Sequence, residues 1–260
     1  MERGQCARLQ YNGGVDSWSV GFGEGDLERY VGLEGGRCWT PVPRGGRASS
    51  PRQGRGDVMR VRVVSDYICP WCYIGSARAQ RLAQELGLEL EPWPYELMPH
   101  LPSEGLPREV ALGRRYPEAH NLRLQMEAAS EGLPFVPPVW MPNTRLAHEA
   151  VQFAMEVGKG WPMHRALYEA YWGRGEDIGR LEVVVAIAQG LGLDGAALAR
   201  ALEEGRYHRL VEEKQDWARG QGIAGVPTFL FGDSGFALVG AQDYDTFRRV
   251  AQRFLEISRG

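Results

Sequence analysis

The feature that most constrains this chain is a Cys69-Pro-Trp-Cys72 motif placed between two different hydrophobic patterns. A short run rich in valine over 61–65 predicts a β-strand immediately before the motif. Helical periodicity over 70–86, followed by Gly87, predicts a helix that begins at the motif. A cysteine at such a junction lies beside free backbone N–H groups and the positive end of the helix dipole, which both favour a thiolate. The pattern therefore predicts a reactive cysteine pair.

The motif gives its four residues different positions. Cys69 stands at the exposed helix start as the candidate nucleophile, and Cys72, one turn later, lies within disulfide reach of it. Pro70 fits the first helical position, where a missing N–H costs nothing, and Trp71 presents a flat apolar surface beside the sulfur. Two alternatives stay open: a pair of small core residues, or half of a zinc site. Zinc is disfavoured because the other two cysteines of the chain do not form a second CxxC.

The hydrophobic patterns near residue 59 and near the C-terminus together predict one sheet domain. A second strand over 88–95 follows the first helix, and its prolines favour a sheet edge. Two further strands are predicted over 226–231 and 236–239, joined by a hairpin turn over 232–235. A final amphipathic helix is predicted over 243–258. The order is thus β–α–β at one end and β–β–α at the other.

A block of helices lies between these two pieces. Helical periodicity is present over 118–131, 143–157, 163–172, 181–189, 195–204 and 207–219. Such a block reads as an insertion into the sheet domain. We therefore predict an α/β fold whose sheet domain comprises 59–104 and 206–260, with an inserted all-helical domain over 105–205.

Composition excludes several classes of function. The chain is 43% hydrophobic and 24% charged with a formal net charge of -3, so no global field favours nucleic acid or an anionic membrane. The longest apolar run, 183–188, is far shorter than the roughly 18 residues that a spanning helix needs. We therefore expect neither a nucleic-acid partner nor a membrane span. Neither composition nor hydrophobic pattern indicates an oligomeric state.

The first 58 residues differ from the remainder. They hold 13 of the 34 glycines, many arginines, no lysine and no sustained periodicity, which predicts a poorly ordered extension. The first ten residues lack the apolar region of a secretory signal, and so does the stretch after Met59. A cytoplasmic location is therefore expected, where cysteines are more often reduced and catalytic than structural disulfides.

A second signal is Gly225-Val226-Pro227 at the start of the third predicted strand. A proline there removes a donor from the sheet ladder. Alone, the segment is typical of an edge-strand start. Together with a strand–CxxC–helix pattern far upstream, it becomes much more specific.

In this ordered set of motifs the sequence resembles the DsbA family, and most closely its FrnE-like branch. The resemblance runs from Met59 to the C-terminus. The residues that carry it are Asp66-Tyr-Ile-Cys69-Pro-Trp-Cys72-Tyr-Ile-Gly75, Trp93-Pro-Tyr-Glu-Leu-Met-Pro99, Asn143-Thr-Arg-Leu-Ala-His148, Ala170-Tyr-Trp172 with Asp177-Ile178, Gly225-Val-Pro-Thr-Phe229 and Gly240-Ala-Gln242.

The resemblance implies a thioredoxin-like fold with an inserted helical domain, and a thiol–disulfide oxidoreductase that uses Cys69 and Cys72. It implies a cis bond between Val226 and Pro227 that faces the redox helix and leaves the preceding backbone free to pair with a substrate strand. Protein disulfides, dithiols or small thiols would be the partners. No metal or organic cofactor is required, and glutathione is a candidate redox partner.

Two related groups in the same fold provide an alternative function. The kappa-class glutathione transferases and the 2-hydroxychromene-2-carboxylate isomerases look similar overall, and they activate the thiol of glutathione rather than their own. They typically have serine where this chain has Cys69. The cysteine argues against that class and leaves glutathione open as a redox partner.

Five polar residues are further candidates near the predicted site. Asp66 could tune the thiol or cap the loop with equal plausibility. Asn143 reads more readily as a helix cap than as a substrate ligand, and His148 as a packed core residue. Gln242 and Asp243 begin the last helix, where a small anion could bind, although plain capping is favoured.

Overall fold

The computed structural model describes residues 58–113, 118–233 and 236–259, and the structural statements below concern those residues. The predicted extension lies outside them except for its last residue, so that prediction stays a prediction. The end of the predicted 232–235 turn lies outside them as well.

A four-stranded sheet is built from both ends of the described chain. Strand β1 (Arg60–Ser65) runs parallel to β2 (Glu89–Pro94) on one side and antiparallel to β5 (Thr228–Phe231) on the other. Strand β6 (Phe236–Val239) pairs antiparallel with β5, so the order is β2-β1-β5-β6. The two pieces of the predicted sheet domain therefore share one sheet.

The position of β2 at the sheet edge follows from its sequence. Pro92 lies opposite Val63 and Pro94 opposite Ser65 in the β1 register. A proline cannot donate to a ladder, so a strand with two prolines is tolerated where one side has no partner.

Two helices cover the sheet. Helix α1 (Pro70–Leu86) has the predicted bounds and ends at Gly87, whose φ of 68° is in the left-handed region that glycine favours. The last helix, at the end of the chain, is Tyr244–Arg259 (α9). Its apolar residues recur at helical spacing and face the sheet. The core of this domain includes Val61, Val63, Leu82, Phe229, Phe231, Leu238, Phe247, Ala251 and Phe254.

The insertion lies between β2 and β5. In chain order its elements and the helix before β5 are β3 (Leu106–Pro107), α2 (Arg108–Ala111), α3 (Glu118–Ser130), β4 (Trp140–Met141), α4 (Arg145–Met155), α5 (Gly160–Tyr168), a π-helical segment (Glu169–Gly173), α6 (Leu181–Gly190), α7 (Gly195–Glu203) and α8 (His208–Gly220).

Three features of the insertion differ from the sequence prediction. The insertion is not wholly helical, because β3 and β4 form a two-residue antiparallel ladder that is too short to leave a period in the sequence. The helix predicted over 163–172 begins at Gly160, since Pro162 is tolerated in a first turn where its missing N–H is not needed. Its last turn widens to a π-helix, where the Trp172 indole donates to the Tyr67 carbonyl at 2.7 Å.

The core of the insertion continues beneath α1. Both cysteines of the motif belong to it, together with Tyr67, Ile74, Met163, Tyr168 and Trp172. The described helices include none that is long and apolar enough to cross a membrane.

The fold is thus a thioredoxin-like sheet domain interrupted by a mainly helical insertion, as predicted. Val58–Gly260 forms one compact unit, so the domain boundaries at 104/105 and 205/206 stay predictions.

Candidate functional site

The Cys69-Pro-Trp-Cys72 motif forms the first turn of α1. Cys69 is the N-cap residue in an extended conformation, with φ -90° and ψ 113°, and Pro70 opens the helix. The Cys69 sulfur accepts a hydrogen bond from the Cys72 N–H at 3.3 Å. This is the contact that a cap side chain makes, with sulfur in the place of oxygen. Both cysteines have free thiols.

The two cysteines differ in environment. Cys69 is only 8% exposed, so the predicted exposed position is wrong: the Val226 backbone covers the sulfur. Cys72 has no exposure. Burial raises the pKa of the Cys72 thiol well above its usual value, and the hydrogen bond and charge of Cys69 raise it further. A backbone hydrogen bond from Asp66 lowers this pKa, while the Asp66 charge raises it. Cys72 is therefore held as a thiol, whereas Cys69 lies at the surface end of the pair.

The second sequence signal lies against the first. The Val226–Pro227 peptide bond is cis, and the Val226 carbonyl is 3.8 Å from the Cys69 sulfur. Gly75 permits this approach, because a Cβ at that position would lie 3.0 Å from Cγ of Pro227. The fold thus brings together two motifs that are 157 positions apart in the sequence.

Trp71 forms the outer side of the motif. Its ring is half-buried and packs against the core of the insertion. The guanidinium carbon of Arg123, on α3, lies 5.8 Å from the ring centroid, within the range of a cation–π contact. An apolar surface with one cationic neighbour therefore borders Cys69.

Asp66 and His148 meet beneath the motif. Asp66 is fully buried, and one of its carboxylate oxygens accepts a hydrogen bond from the Leu97 N–H at 2.7 Å. The other oxygen, Oδ1, lies 3.6 Å from Nε2 of His148, which is 3% exposed on α4. Both predicted residues are thus internal, and Asp66 ties the end of β1 to the segment after β2.

A buried network beside the motif was not singled out from the sequence. The Tyr67 hydroxyl lies 3.1 Å from Nδ1 of His164, and the Ser76 hydroxyl lies 3.3 Å from its Nε2. The Tyr168 hydroxyl donates to the Asp66 carbonyl at 2.9 Å. Burial, followed by the charges of neighbouring bases, lowers the pKa of His164 well below its usual value, so this imidazole is neutral. Its helical, apolar neighbours give it the sequence signature of a core histidine.

Asp243 has the predicted capping contact, and Asn143 lies one position before the cap. Asp243 accepts a hydrogen bond from the Thr246 N–H at 2.9 Å at the start of α9. The N-cap residue of α4 is Thr144, whose side chain makes no capping hydrogen bond. Asn143 instead accepts from the Arg145 N–H at 3.0 Å and donates to the Leu101 carbonyl at 2.7 Å, so it joins the start of α4 to the segment after β2.

Gln242 has a structural contact of the same kind. Its side-chain amide donates to the Val239 carbonyl at 3.0 Å. Its backbone carbonyl accepts a hydrogen bond from the Arg78 guanidinium at 2.9 Å. Within the described ranges, no group of three or more His, Cys, Asp or Glu side chains is arranged to hold a metal ion.

Comparison with known proteins adds the family. Residues 60–252 match the family described as the DSBA-like thioredoxin domain. A protein of Bacillus subtilis, the uncharacterized protein YwbO, is 29% identical over 193 residues, which cover 74% of this chain and 95% of that protein.

Solved structures show the same fold. A probable DsbA oxidoreductase, SCO1869 from Streptomyces coelicolor, superposes with a TM-score of 0.69 and 26% identity over 75% of this chain and 89% of that one. A 2-hydroxychromene-2-carboxylate isomerase has a TM-score of 0.63, 21% identity and coverage of 77% and 98%. The cytosolic disulfide reductase DsbM from Pseudomonas aeruginosa has a TM-score of 0.58, 22% identity and coverage of 76% and 99%.

The last two structures share the fold alone, whereas the family match covers most of the described chain. Its cysteine pair lies at the start of a helix, and its thioredoxin-like sheet is interrupted by helices. The chain belongs to the DSBA-like thioredoxin domain family.

Proposed function

We propose that this protein is a thiol–disulfide oxidoreductase in which Cys69 is the nucleophile and Cys72 the resolving thiol. The observation that carries the proposal is the asymmetry of the pair. The Cys69 sulfur caps α1 at the surface end, and Cys72 is fully buried one turn below it. A thiolate at a helix N-terminus is stabilised by the backbone N–H groups that point at it.

The exchange needs only the sulfurs. When a substrate disulfide is reduced, the Cys69 thiolate attacks one sulfur, forms a mixed disulfide and releases the first substrate thiolate. Cys72 then attacks Cys69 in that mixed disulfide and releases the second thiolate. The substrate gains two electrons and the cysteine pair loses two, so no metal or organic cofactor is required. The reverse sequence oxidises a substrate dithiol.

The surroundings of Cys69 favour two kinds of partner, extended protein segments and small thiols. The Val226 backbone lies beside the sulfur and is followed by Pro227, which has no N–H. An extended substrate segment could therefore form backbone hydrogen bonds with Val226. Trp71 supplies apolar contact on the other side. We infer that the partners are protein disulfides or dithiols, or small thiols such as glutathione.

The comparisons support this proposal at the level of the family. The probable DsbA oxidoreductase of Streptomyces coelicolor has the same fold at 26% identity. DsbM is named as a cytosolic disulfide reductase, and it has also been solved with glutathione. A cytoplasmic location is part of our proposal.

The alternative is a glutathione-dependent transferase or isomerase. It is supported by the shared fold of the 2-hydroxychromene-2-carboxylate isomerase. In such an enzyme the reacting thiol belongs to glutathione, and a serine would serve at position 69. Retained glutathione binding and turnover in a Cys69→Ser chain would therefore favour the alternative.

The test uses chains in which Cys6 and Cys38 are replaced by serine, so that only the motif can react. We expect the parent chain to catalyse insulin reduction with a dithiol as reductant. Cys72→Ser should accumulate a mixed disulfide at Cys69, because the resolving thiol is absent, and Cys69→Ser should abolish both exchange and trapping. Mass spectrometry after alkylation identifies the bonded cysteine.

The same experiment reports the order of reactivity. In the reduced chain, Cys69 should be alkylated before Cys72 from pH 5 to 8, because the raised pKa of Cys72 leaves little thiolate there. Labelling of Cys72 first, or a mixed disulfide that forms at Cys72, would contradict the assignment of the nucleophile.

A further inference from the structure

A groove of about 750 Å³ lies between the second half of α1, strand β2 and the first turns of α5. It is separate from the cysteine site, because Gln80, which lines it, is about three turns beyond Cys69 on α1. Its volume is within the range of natural small-molecule sites, about 300–1,000 Å³. The groove is therefore a second place where this protein can hold a small molecule.

Most of the groove wall is apolar. The apolar side chains that line it include those of Leu88, Leu90, Met155, Trp161 and Pro162. The Trp161 indole N–H donates to the side-chain carbonyl of Gln80 at 3.3 Å, so its donor is already used and its ring is left for apolar contact. The wall therefore suits a ligand with an apolar body.

Three of the four charged residues that line the groove pair with each other. The Arg60 guanidinium lies 3.6 Å from the Glu89 carboxylate and 3.8 Å from that of Glu91. The Glu91 carboxylate also lies 3.9 Å from Arg62 and 4.0 Å from Lys214. The β2 end of the groove therefore has acids that are already neutralised, and it offers no place for a second anionic group.

The fourth charged residue, Arg165 on α5, has no such compensation. Its guanidinium donates to the Tyr73 carbonyl at 3.4 Å and lies 5.5 Å from the centroid of the Tyr73 ring. Among the residues that the structure describes, no carboxylate lies within 4.0 Å of it. A guanidinium has five N–H donors, so most of the hydrogen-bonding capacity of Arg165 is unused.

Burial makes this lack of an acidic partner costly. It lowers the pKa of the Arg165 guanidinium, and the charges of Tyr73, Tyr168 and Glu169 oppose that effect. A cation that is withdrawn from water keeps its desolvation cost unless an anion compensates it. An anionic group in the groove would supply that compensation.

We propose that this groove binds a small monocarboxylate with an apolar body. The carboxylate pairs with the guanidinium of Arg165, whose planar fork of N–H groups matches two carboxylate oxygens. The body lies against Trp161 and the apolar wall. This binding site does not depend on the proposed thiol–disulfide exchange.

The test uses octanoate as the probe and octanol as a neutral ligand of the same length. Isothermal titration calorimetry of the full chain should show one octanoate bound per chain. Its affinity should be at least about tenfold higher than that of octanol, because only octanoate makes charged hydrogen bonds with Arg165.

Two variants and a control locate the carboxylate. Arg165→Met keeps an apolar stem without the charge, so octanoate affinity should fall about tenfold while octanol affinity is unchanged. Arg165→Lys should keep part of the preference for octanoate. Arg174→Met is the matched control: Arg174 follows α5, does not line this groove and pairs with Glu176 at 2.6 Å. It should bind both probes as the parent chain does.

A further variant adds charge rather than removing it. Gln84 is an exposed residue of α1 that lines the groove, so Gln84→Glu places a negative charge there without disturbing the core. Octanoate affinity should fall by about threefold or more, and octanol affinity should stay the same.

Each contrary result has a distinct meaning. Absence of saturable octanoate binding to the full chain would overturn the site. Equal affinities for octanoate and octanol, or an unchanged octanoate affinity in Arg165→Met, would overturn the role of Arg165. If Arg165→Met does not fold, Gln84→Glu decides, since an unchanged octanoate affinity there would place the ligand elsewhere. Cys69→Ser should bind octanoate as the parent does, so failure of the thiol–disulfide proposal leaves this site intact.

Discussion

Gly75 sets how closely α1 approaches the segment that carries Val226 and Pro227. A Cβ at this position would lie 3.0 Å from Cγ of Pro227 and 3.2 Å from Cζ of Phe229. Both neighbours are buried, so neither ring has open space to move into. The absence of one methyl group in the second turn of α1 thus lets the two motifs of the site come together.

Gly75→Ala tests this role. Alanine favours a helix by about 0.5–1 kcal/mol, but overpacking a filled core costs about 1–3 kcal/mol, so we expect a net loss of stability of about 1 kcal/mol. Insulin reduction should also slow, because Pro227 is pushed away from Cys69. Gly190→Ala is the control, since a Cβ there meets nothing within 4 Å. Urea unfolding measures both, and a Gly75→Ala chain as stable and active as the parent would refute the close-packing argument.

At the scale of elements, Arg78 joins α1 to two other parts of the chain. It is 6% exposed. Its guanidinium donates to Glu127 on α3 at 3.1 Å and to Glu131, directly after α3, at 2.7 Å. It also donates to the carbonyls of Ala241 and Gln242 at 2.9 Å, just before α9. A planar fork of five N–H donors suits four acceptors that converge from two directions.

Arg78→Met should therefore destabilise the fold by about 3 kcal/mol, because removal of one partner leaves the half-buried Glu131 carboxylate without its cation. The control is Arg253→Met on α9. Arg253 pairs with Glu256 at 3.1 Å, and both side chains are more than half exposed. That pair should contribute less than about 1 kcal/mol. Equal losses for the two variants in urea unfolding would show that Arg78 does not connect the elements as described.

At the scale of the whole molecule, the insertion and the sheet domain meet through a buried polar layer. His164 on α5 contacts Tyr67 after β1 and Ser76 on α1. Burial holds its pKa well below the usual value, so it is neutral in the folded chain. The unfolded chain protonates this histidine below about pH 6.5, and the folded chain does not. Its contribution to stability is therefore complete above pH 6.5 and is lost as the pH falls towards the lowered pKa.

His164→Gln should reduce this pH dependence. Between pH 6.5 and 5 the parent chain should lose up to about 1.4 kcal/mol of unfolding free energy per pH unit more than the variant. Urea unfolding across this range provides the measurement. The interpretation fails if His164→Gln and the parent chain have parallel stability profiles.

Much of the secondary structure could be predicted from the sequence, because helix starts, helix ends and strands depend on neighbouring residues. The bounds of α1 follow from a proline that fits the first helical position and a glycine that accepts a positive φ after the last. Asp194 is of a residue type that commonly caps helices, and it accepts the Ala197 N–H at 2.9 Å at the start of α7. The strands were visible as short apolar segments bounded by turn residues, with alternation in the strand over 88–95.

Other features have no local signature, because partners far apart in the sequence create them. The β3–β4 ladder has two residue pairs, too few to show a period. The Tyr168 hydroxyl reaches the Asp66 carbonyl across 102 positions, and the Cys69 sulfur meets Val226 across 157. His148 reads in the sequence as an ordinary core histidine.

The sequence by itself therefore determined most of the longer elements and the place of the cysteine pair at a helix start, since propensity and capping act within a few residues. Only the tertiary structure decided which buried groups face each other, such as Asp66 and His148. The energy of a buried charge depends on its distance to a partner and on the loss of water, and both are defined only once the insertion has packed against the sheet domain.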